Sequence, residues 1–361
     1  MSSIKRTARA LTKTAVAALA FGLVSGLAQA EPINWRLTTF SPEGNADFRE
    51  CVAPFIRNVE KLTSGQIKIQ AFGAGILAPA FETAKAVQNG IADAGIYFPA
   101  FMVNEDPANA FLAGLPGGMP ADATMAWIFY GGGRQLWENF RREKMGLHPV
   151  VACIGPTEVF AHAHKPLTKA EDFKGLKIRT TGAWAAILKD YFGASPVTLP
   201  GGEIFTALDR KVIDATEYVT PSINYATGLQ NIAKYVMVPG IHQPTYVYEF
   251  MVKTETWDKL PADLKEKLVL AGQLTMIEGL MKLSVDDIDT IAKMKAEGKN
   301  VFLSPEPSLV EAVKKYGREW AMKTAKKQAD SGNTWMEKFA NSYYPFQDKW
   351  VAAADIRVVN Q

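Results

Sequence analysis

Apolar and polar positions alternate in two rhythms along the chain. Residues 33–39 (INWRLTT) alternate with a period of two, which predicts a half-buried strand. Residues 45–63 switch to helical spacing, with Phe48, Val52, Phe55, Val59 and Leu62 on one side, and Ser64-Gly65 ends that run. Residues 66–72 alternate again, so the pattern is β-α-β and starts a parallel sheet. The rhythm returns in 175–218. Leu176-Lys177-Ile178-Arg179 alternates, a helix follows from Trp184 to Tyr191, and the run Val197-Thr198-Leu199-Pro200 is extended. A second helix begins near Gly202 and Glu203, and 214–219 reads as a strand. This βαβαβ order suits an open sheet that binds ligands beyond its strand ends.

Two segments resemble one another. Residues 82–94 (ETAKAVQNGIADA) and 203–215 (EIFTALDRKVIDA) share Glu, Ala, Asp and Ala at the same offsets, and each helix leads into a strand. A repeat of this kind predicts two similar α/β lobes facing a cleft. Gly90 is a natural helix end, and its counterpart Lys211 is a less natural one. The corners Tyr97-Phe98 and Glu217-Tyr218 should then face each other. Residues 150–163 read as an apolar strand, a Gly-Pro break carrying Thr157 and Glu158, and a second strand. Further extended runs surround Pro239-Gly240 and His242-Gln243-Pro244.

From Pro261 onward the pattern is helical. Residues 264–298 form one long or broken helix, with Leu268, Leu270, Met276, Ile277, Leu280 and Met281 as core candidates. A short strand at 300–303 and helices at 307–328 and 335–350 complete the chain. The expected fold is α/β and bilobal: two open sheets flanked by helices, a central cleft, and a C-terminal helical group. Lobe 1 spans about 31–152 and lobe 2 about 153–252, with 253–361 crossing or bracing both.

Charge and compartment change the picture. Lys5, Arg6, Arg9 and Lys13 precede an apolar run at 15–27 and the small-x-small triplet Ala28-Gln29-Ala30, so residues 1–30 read as a signal peptide. Removing its four positive charges takes the net charge from +3 to +3 − 4 = −1. The basic balance therefore belongs to the leader and gives no reason to expect a nucleic-acid partner. No later segment reads as long and apolar enough to cross a membrane, and the expected location is the periplasm. Cys51 and Cys153 are the only cysteines; a disulfide and two buried thiols are both open.

Enzyme signatures are sparse: G-x-S-x-G, H-E-x-x-H, C-x-x-C and the P-loop pattern are all missing. His162 and His164 fall on one strand face, without an evident third metal ligand. Arg179, at a strand end, can offer a planar fork to a carboxylate. Glu217 ends the next strand as an oxygen ligand. Phe40, Tyr97, Phe98, Phe101, Trp184, Tyr218, Tyr246 and Tyr248 supply aromatic surface near the cleft, and four of them (Phe40, Trp184, Tyr246 and Tyr248) hint at room for a longer or aromatic acid.

The order of GLKIR, PVTLPGGEIFTAL and VIDATEY, with TSGQIKIQAFGAGIL, ETAKAVQNGIADAGI and TWDKLPADLKEKL, closely resembles the DctP-like substrate-binding proteins of tripartite ATP-independent periplasmic (TRAP) transporters. The resemblance covers nearly the whole chain after the leader. It implies a receptor that closes on a small organic anion for ion-gradient-driven uptake through two integral membrane subunits. The family's carboxylate-gripping arginine falls on Arg179.

The chain is most similar to the branch that binds 2-oxo or 2-hydroxy monocarboxylates through a cation, Na+ or Ca2+, without an organic cofactor. The implied cation ligands are Glu158, Glu217, the Tyr218 carbonyl and Gln243. The chain carries a carboxylate at Glu158 and an amide at Gln243, the reverse of the branch, and a Tyr where Trp is common. Implied ligand contacts are Arg179 and Glu158, with Tyr97, Phe98, Trp184 and Tyr218 from the cleft. The competing reading is a periplasmic enzyme acting on a small carboxylic acid, which would need a nucleophile or acid/base pair that the sequence does not offer. A homodimer is open: the aromatic segment SYYPFQDKW can pack on a second copy or on its own core.

Overall fold

The computed structural model describes residues 31–354; the expected leader, 1–30, lies outside them. Strand β1 (Ile33–Thr39) turns Trp35 and Leu37 into the core. Asp47 caps the π-helical turn Phe48–Val52, which runs on into α1 (Ala53–Leu62), where Phe55 and Val59 are buried. Then come β2 (Ile67–Phe72), α2 (Thr83–Gln88) and β3 (Ala94–Tyr97). Helices α3 (Ala121–Tyr130) and α4 (Gly133–Met145) precede β4 (Leu147–Gly155), which is buried throughout.

The chain then crosses over in 156–160 to β5 (Ala161–Ala163). The stretch picked out by its alternation follows as β6 (Lys177–Arg179), α5 (Gly182–Phe192), β7 (Ser195–Val197), α6 (Gly201–Asp209) and β8 (Ala215–Thr216). Helix α7 (Pro221–Ala226) and β9 (Tyr235–Met237) lead to a return crossing in 238–245 and to β10 (Tyr246–Lys253). The chain ends with α8 (Ala262–Glu297), β11 (Val301–Leu303), α9 (Pro307–Asp330) and α10 (Trp335–Ala352).

Two sheets result, in the orders β2-β1-β3-β10-β4 and β11-β9-β5-β8-β6-β7. They share one block. β1 is parallel to β3 and β6 to β8, and each block ends on an antiparallel strand, β10 on β3 and β5 on β8. The repeat extends to the helix ends: Gly90 has φ +75° and Lys211 has φ +57°. Lysine holds that left-handed backbone at a cost of about 1–2 kcal/mol, where glycine holds it freely.

Strand β10, expected with lobe 2, instead sits in the first sheet between β3 and β4, and β4 stays in that sheet through Gly155. Every β10 residue but Lys253 is buried, so no polar face marks which sheet it joins.

Helix α8 is unbroken. Leu268 and Met276 enter the core and Leu280 is half-buried, but Leu270, Ile277 and Met281 are exposed, against expectation. The helix is apolar on several sides, and glycine decides which side faces in: a Cβ on Gly272 would lie 2.0 Å from the Val151 carbonyl oxygen. By length and composition α8 could cross a membrane, which the sequence reading did not expect of any later segment. Its inner face is nevertheless core, with Ala271 and Leu283 fully buried.

Cys51 and Cys153 form a disulfide that joins the π-helical turn to β4 across 102 residues. Loop-closure entropy assigns such a bridge about 4–5 kcal/mol. Segment SYYPFQDKW packs on its own core: Tyr343 and Tyr344 are buried, and the Met119 N–H donates to Tyr343 Oη at 2.7 Å.

Candidate functional site

Four chain segments converge where β6 and β8 run out. Arg179 is the last residue of β6, and Glu217 follows β8, its N–H donating to the Arg179 carbonyl. Glu158 comes from the first crossing and His242 from the return crossing. The crossings lie side by side, with Glu158 N–H donating to Gln243 O at 3.2 Å and Thr157 Oγ1 to Pro244 O at 3.0 Å. Their approach depends on Gly240, where a Cβ would fall 2.3 Å from the Glu158 carbonyl oxygen. Gly201 has a similar role, because a Cβ there would lie 2.3 Å from Tyr218 Oη.

All four charged or titratable side chains are buried. Arg179 donates through Nε to Leu199 O at 3.1 Å and through Nη1 to Glu217 O at 3.1 Å and Glu217 Oε1 at 3.2 Å. Its guanidinium carbon stands 5.5 Å from the Tyr218 ring centre. His242 Nε2 lies 3.6 Å from Glu158 Oε2 and 3.7 Å from Glu217 Oε2, too far for good hydrogen bonds. One donor atom from each of these three residues falls within 4.8 Å of the other two. Both His242 nitrogens are buried without a hydrogen-bond partner among the described residues.

Electrostatics separates the two carboxylates. Burial, reinforced by the Glu217 charge, pushes Glu158 upward, against the pull of His242. Burial also pushes Glu217 up, but His242 and Arg179 together outweigh it and hold that carboxyl below its ordinary value. Burial disfavours the His242 cation, yet the two glutamates override it and raise the imidazole.

Further unpartnered polar atoms surround this cluster. Trp184 Nε1 and Tyr246 Oη are buried without partners among the described residues, and the Trp184 ring lies 5.8 Å from that of His242. A buried polar group left unpaired costs about 1–3 kcal/mol. Tyr246 stacks toward Tyr248 at 5.0 Å, and Tyr248 meets Phe98 at 5.5 Å and Phe40 at 4.9 Å.

The expected residues divide as follows. Arg179, Glu158, Glu217, Tyr218 and Trp184 gather around one centre, and half-buried Phe98 reaches it through Tyr248. Tyr97 lies in the core of the first half, with its Oη donating to Phe81 O at 2.7 Å. Gln243 is a clamp: its Nε2 donates to Ala113 O at 2.8 Å and Thr245 O at 3.0 Å. The side chain beside the two glutamates is its neighbour His242.

His162 and His164 do not act together. His162 Nε2 meets the Asn224 amide and His164 Nε2 meets Leu208 O. The sequence reading passed over two residues. One is His242, whose signal is an imidazole inside a Gly- and Pro-bounded segment. The other is Asp47, buried against Ser41 Oγ at 2.7 Å, whose charge acts on Tyr218, Tyr246 and Tyr248. Its signal is an acid just before the first apolar residue of a helix.

The family model for DctP, bacterial extracellular solute-binding protein, family 7, matches residues 38–327. A monocarboxylate 2-oxoacid-binding periplasmic protein of Nostoc sp. is 32% identical over 254 residues, 68% of this chain and 67% of the relative. Among solved structures, a TRAP transporter solute-binding protein of Bordetella bronchiseptica superposes with a TM-score of 0.84 at 23% identity, covering 90% of this chain and 95% of that one. It is a mixed-occupancy dimer with copurified calcium and picolinate in one active site and an apo site in the other. A TRAP solute-binding protein of Pseudoalteromonas atlantica with bound sodium and pyruvate has a TM-score of 0.83 at 24% identity, covering 90% and 97%. The chain belongs to the DctP family of extracellular solute-binding proteins, the receptors of TRAP transporters.

Proposed function

We propose that the protein is a periplasmic receptor that captures a small 2-oxo or 2-hydroxy monocarboxylate and delivers it to the integral membrane subunits of a TRAP transporter. The leader-like residues 1–30 support the compartment. The observation that carries the ligand class is the buried cluster of Arg179, Glu158, Glu217 and His242, whose imidazole nitrogens have no partner among the described residues. Two carboxylates facing one guanidinium would repel an anion unless a further positive charge intervenes.

A cation supplies that charge. Glu158 and Glu217 bring carboxylate oxygens within 4.8 Å of one another, and oxygen donors suit a hard ion such as Na+ or Ca2+, at about 2.3–2.6 Å for calcium. Glu158 and Glu217 would hold it, with the Tyr218 carbonyl and the remaining Gln243 oxygen as further donors and the His242 imidazole beside them. When bound, the ion offers its open positions to the carboxylate and the adjacent 2-oxygen of the ligand. Arg179 uses Nε and Nη1 for protein oxygens, so its Nη2 edge is the one left for the ligand carboxylate. Trp184 Nε1 and Tyr246 Oη offer donors on the other side, and Phe98 and Tyr248 close the apolar wall. The Bordetella and Pseudoalteromonas structures, each holding a cation with a carboxylate, support this reading.

The 3.6 and 3.7 Å spacings favour one second reading: a protonated His242 bridges both glutamates and serves as the positive charge itself. Titration calorimetry with pyruvate, with and without Ca2+ and then with chelator, separates the two. The cation reading expects binding to vanish in sodium-free buffer with chelator and to return with Ca2+ or Na+. Undiminished binding in that sodium-free chelator buffer assigns the charge to His242, and no binding of any small 2-oxo or 2-hydroxy acid under either condition overturns the ligand class.

A further inference from the structure

Five aromatic rings stand together beside the polar cluster. Phe40 follows β1 and Phe98 follows β3, so both lie at the carboxyl ends of strands, where open α/β sheets take their ligands. Phe81 comes from the 3-10 turn Ala80–Glu82 and Phe101 from the 3-10 turn Pro99–Met102. These four phenylalanines are half-buried, and buried Tyr248 backs them. Phe40, Phe101, Phe98 and Tyr248 form a closed circuit. Successive ring centres are 5.6, 5.4, 5.5 and 4.9 Å apart, and their planes cross at 69°, 81°, 72° and 70°. Phe81 joins the circuit at Phe101, 4.8 Å away. Rings at these spacings touch edge to face, so no guest fits inside the circuit and its open outer side is the surface on offer.

Two contacts place that surface at the cleft. A Cβ on Gly182, the first residue of α5, would fall 3.2 Å from Ala100 Cβ, so the turn that carries Phe101 is where the two halves touch. Tyr246, whose Oη has no partner among the described residues, stands 5.0 Å from Tyr248, which makes the rings continuous with the polar cluster. Among the described residues, no lysine or arginine lies over any of the five rings.

Building on the monocarboxylate assignment, we propose that these rings form a side-chain subsite and that the ligand is a 2-oxo monocarboxylate bearing an aromatic ring. In an arylpyruvate one methylene separates the ring from the 2-oxo carbon. With the carboxylate on Arg179, that ring passes Tyr246 and meets the edge formed by Tyr248 and Phe98. Three features select an aromatic ring over other groups. A guest ring extends the edge-to-face array and so gains more than the burial that an aliphatic chain would share. A second carboxylate would be stripped of water with no cation to receive it. The rings also hold one another in place, and Tyr97 Oη donates to Phe81 O at 2.7 Å, so little side-chain freedom is lost when the guest arrives.

Titration calorimetry in buffer holding both Na+ and Ca2+ tests this with pyruvate, phenylpyruvate, 4-methyl-2-oxopentanoate and 2-oxoglutarate. Phenylpyruvate is expected to bind about 10- to 100-fold more tightly than pyruvate, the gain from burying one phenyl group. It should exceed the branched aliphatic acid by about fivefold, and 2-oxoglutarate should bind more weakly than pyruvate. Phe101→Leu and Phe81→Leu keep an apolar side chain at each turn and remove only the ring. Each should cut the preference for phenylpyruvate over pyruvate by about fivefold, with a melting curve to confirm the fold. Phenylpyruvate binding no tighter than pyruvate, than the branched acid or than 2-oxoglutarate overturns the subsite and leaves the ligand class standing. A preference undiminished in both leucine variants does the same, and no binding by any of the four acids overturns subsite and ligand class together.

Discussion

The two halves of the molecule share one strand block, and each buries an arginine–glutamate pair, yet the pairs are built in opposite ways. In the first half, Arg141 of α4 grips Glu249 of β10 through Nε at 2.9 and 3.1 Å and Nη2 at 2.7 Å, and Trp137 Nε1 adds a bond of 2.7 Å. Both side chains are wholly buried, and the carboxylate is saturated with donors. In the second half, Arg179 spends its fork on two carbonyls, one of them that of Glu217, and touches the Glu217 carboxylate once, while Glu158 adds a second carboxylate and the His242 nitrogens have no partner among the described residues. A buried ion pair therefore says little about its role until its donors and acceptors are matched. A pair whose carboxylate is saturated with donors fixes the fold, even though Arg141 Nη1 has no partner among the described residues, and an acceptor-rich one awaits a guest.

Breaking the saturated pair should have the largest effect. Glu249→Ala strands the Arg141 charge and should cost about 3–5 kcal/mol of stability, read as a drop in urea midpoint. Arg179→Ala should leave stability closer to wild type while reducing carboxylate affinity by roughly 30- to 1,000-fold in calorimetry, the value of one or two charge-assisted bonds. Equal destabilisation by the two substitutions would erase the distinction drawn between the halves.

Acid sharpens it next. Burial, helped by Arg142, holds His148 of β4 down at about 3, its ring stacked on Trp257 at 3.8 Å. Burial in the second half holds His162 at about 4. The unfolded chain takes up these protons below about pH 6.5 and the native one does not. The stability they confer is thus complete above about pH 6.5 and lost on acidification towards those values, at up to about 1.4 kcal/mol per pH unit for each histidine. His148→Phe, which keeps the stack, should flatten the first half's share when urea midpoints are compared at about pH 7 and about pH 5. The smallest effect lies at the repeated helix ends. Lys211→Gly should add about 1 kcal/mol and Gly90→Lys should remove about as much, measured by thermal unfolding.

Much of this was legible in the sequence, and the failures have physical causes. Arg179 and Glu217 were found because they end short strands, where alternation stops and the next residue must face the cleft. The shared block was found because Ala86 and Ala207, Asp93 and Asp214 recur at fixed offsets. Strand β10 was misassigned because it is buried on both faces and so carries no period. On α8, Leu268 and Leu270 look alike in sequence, and only the close approach at Gly272 tells core from surface. His242 escaped notice because a lone imidazole in an extended run has no spacing to recognise; its meaning comes from two glutamates that arrive from distant strands.

The side-by-side crossings have a mechanical consequence. They are two of the three connections between the sheets, from β4 to β5 and from β9 to β10, the third being α8 between β10 and β11, and they also bear Glu158 and His242. A swing of one sheet against the other must twist those segments and so pull the gripping groups apart. Opening by such a swing would make release and opening one event without a separate latch, and a substitution that stiffens either segment should then change ligand retention along with the motion.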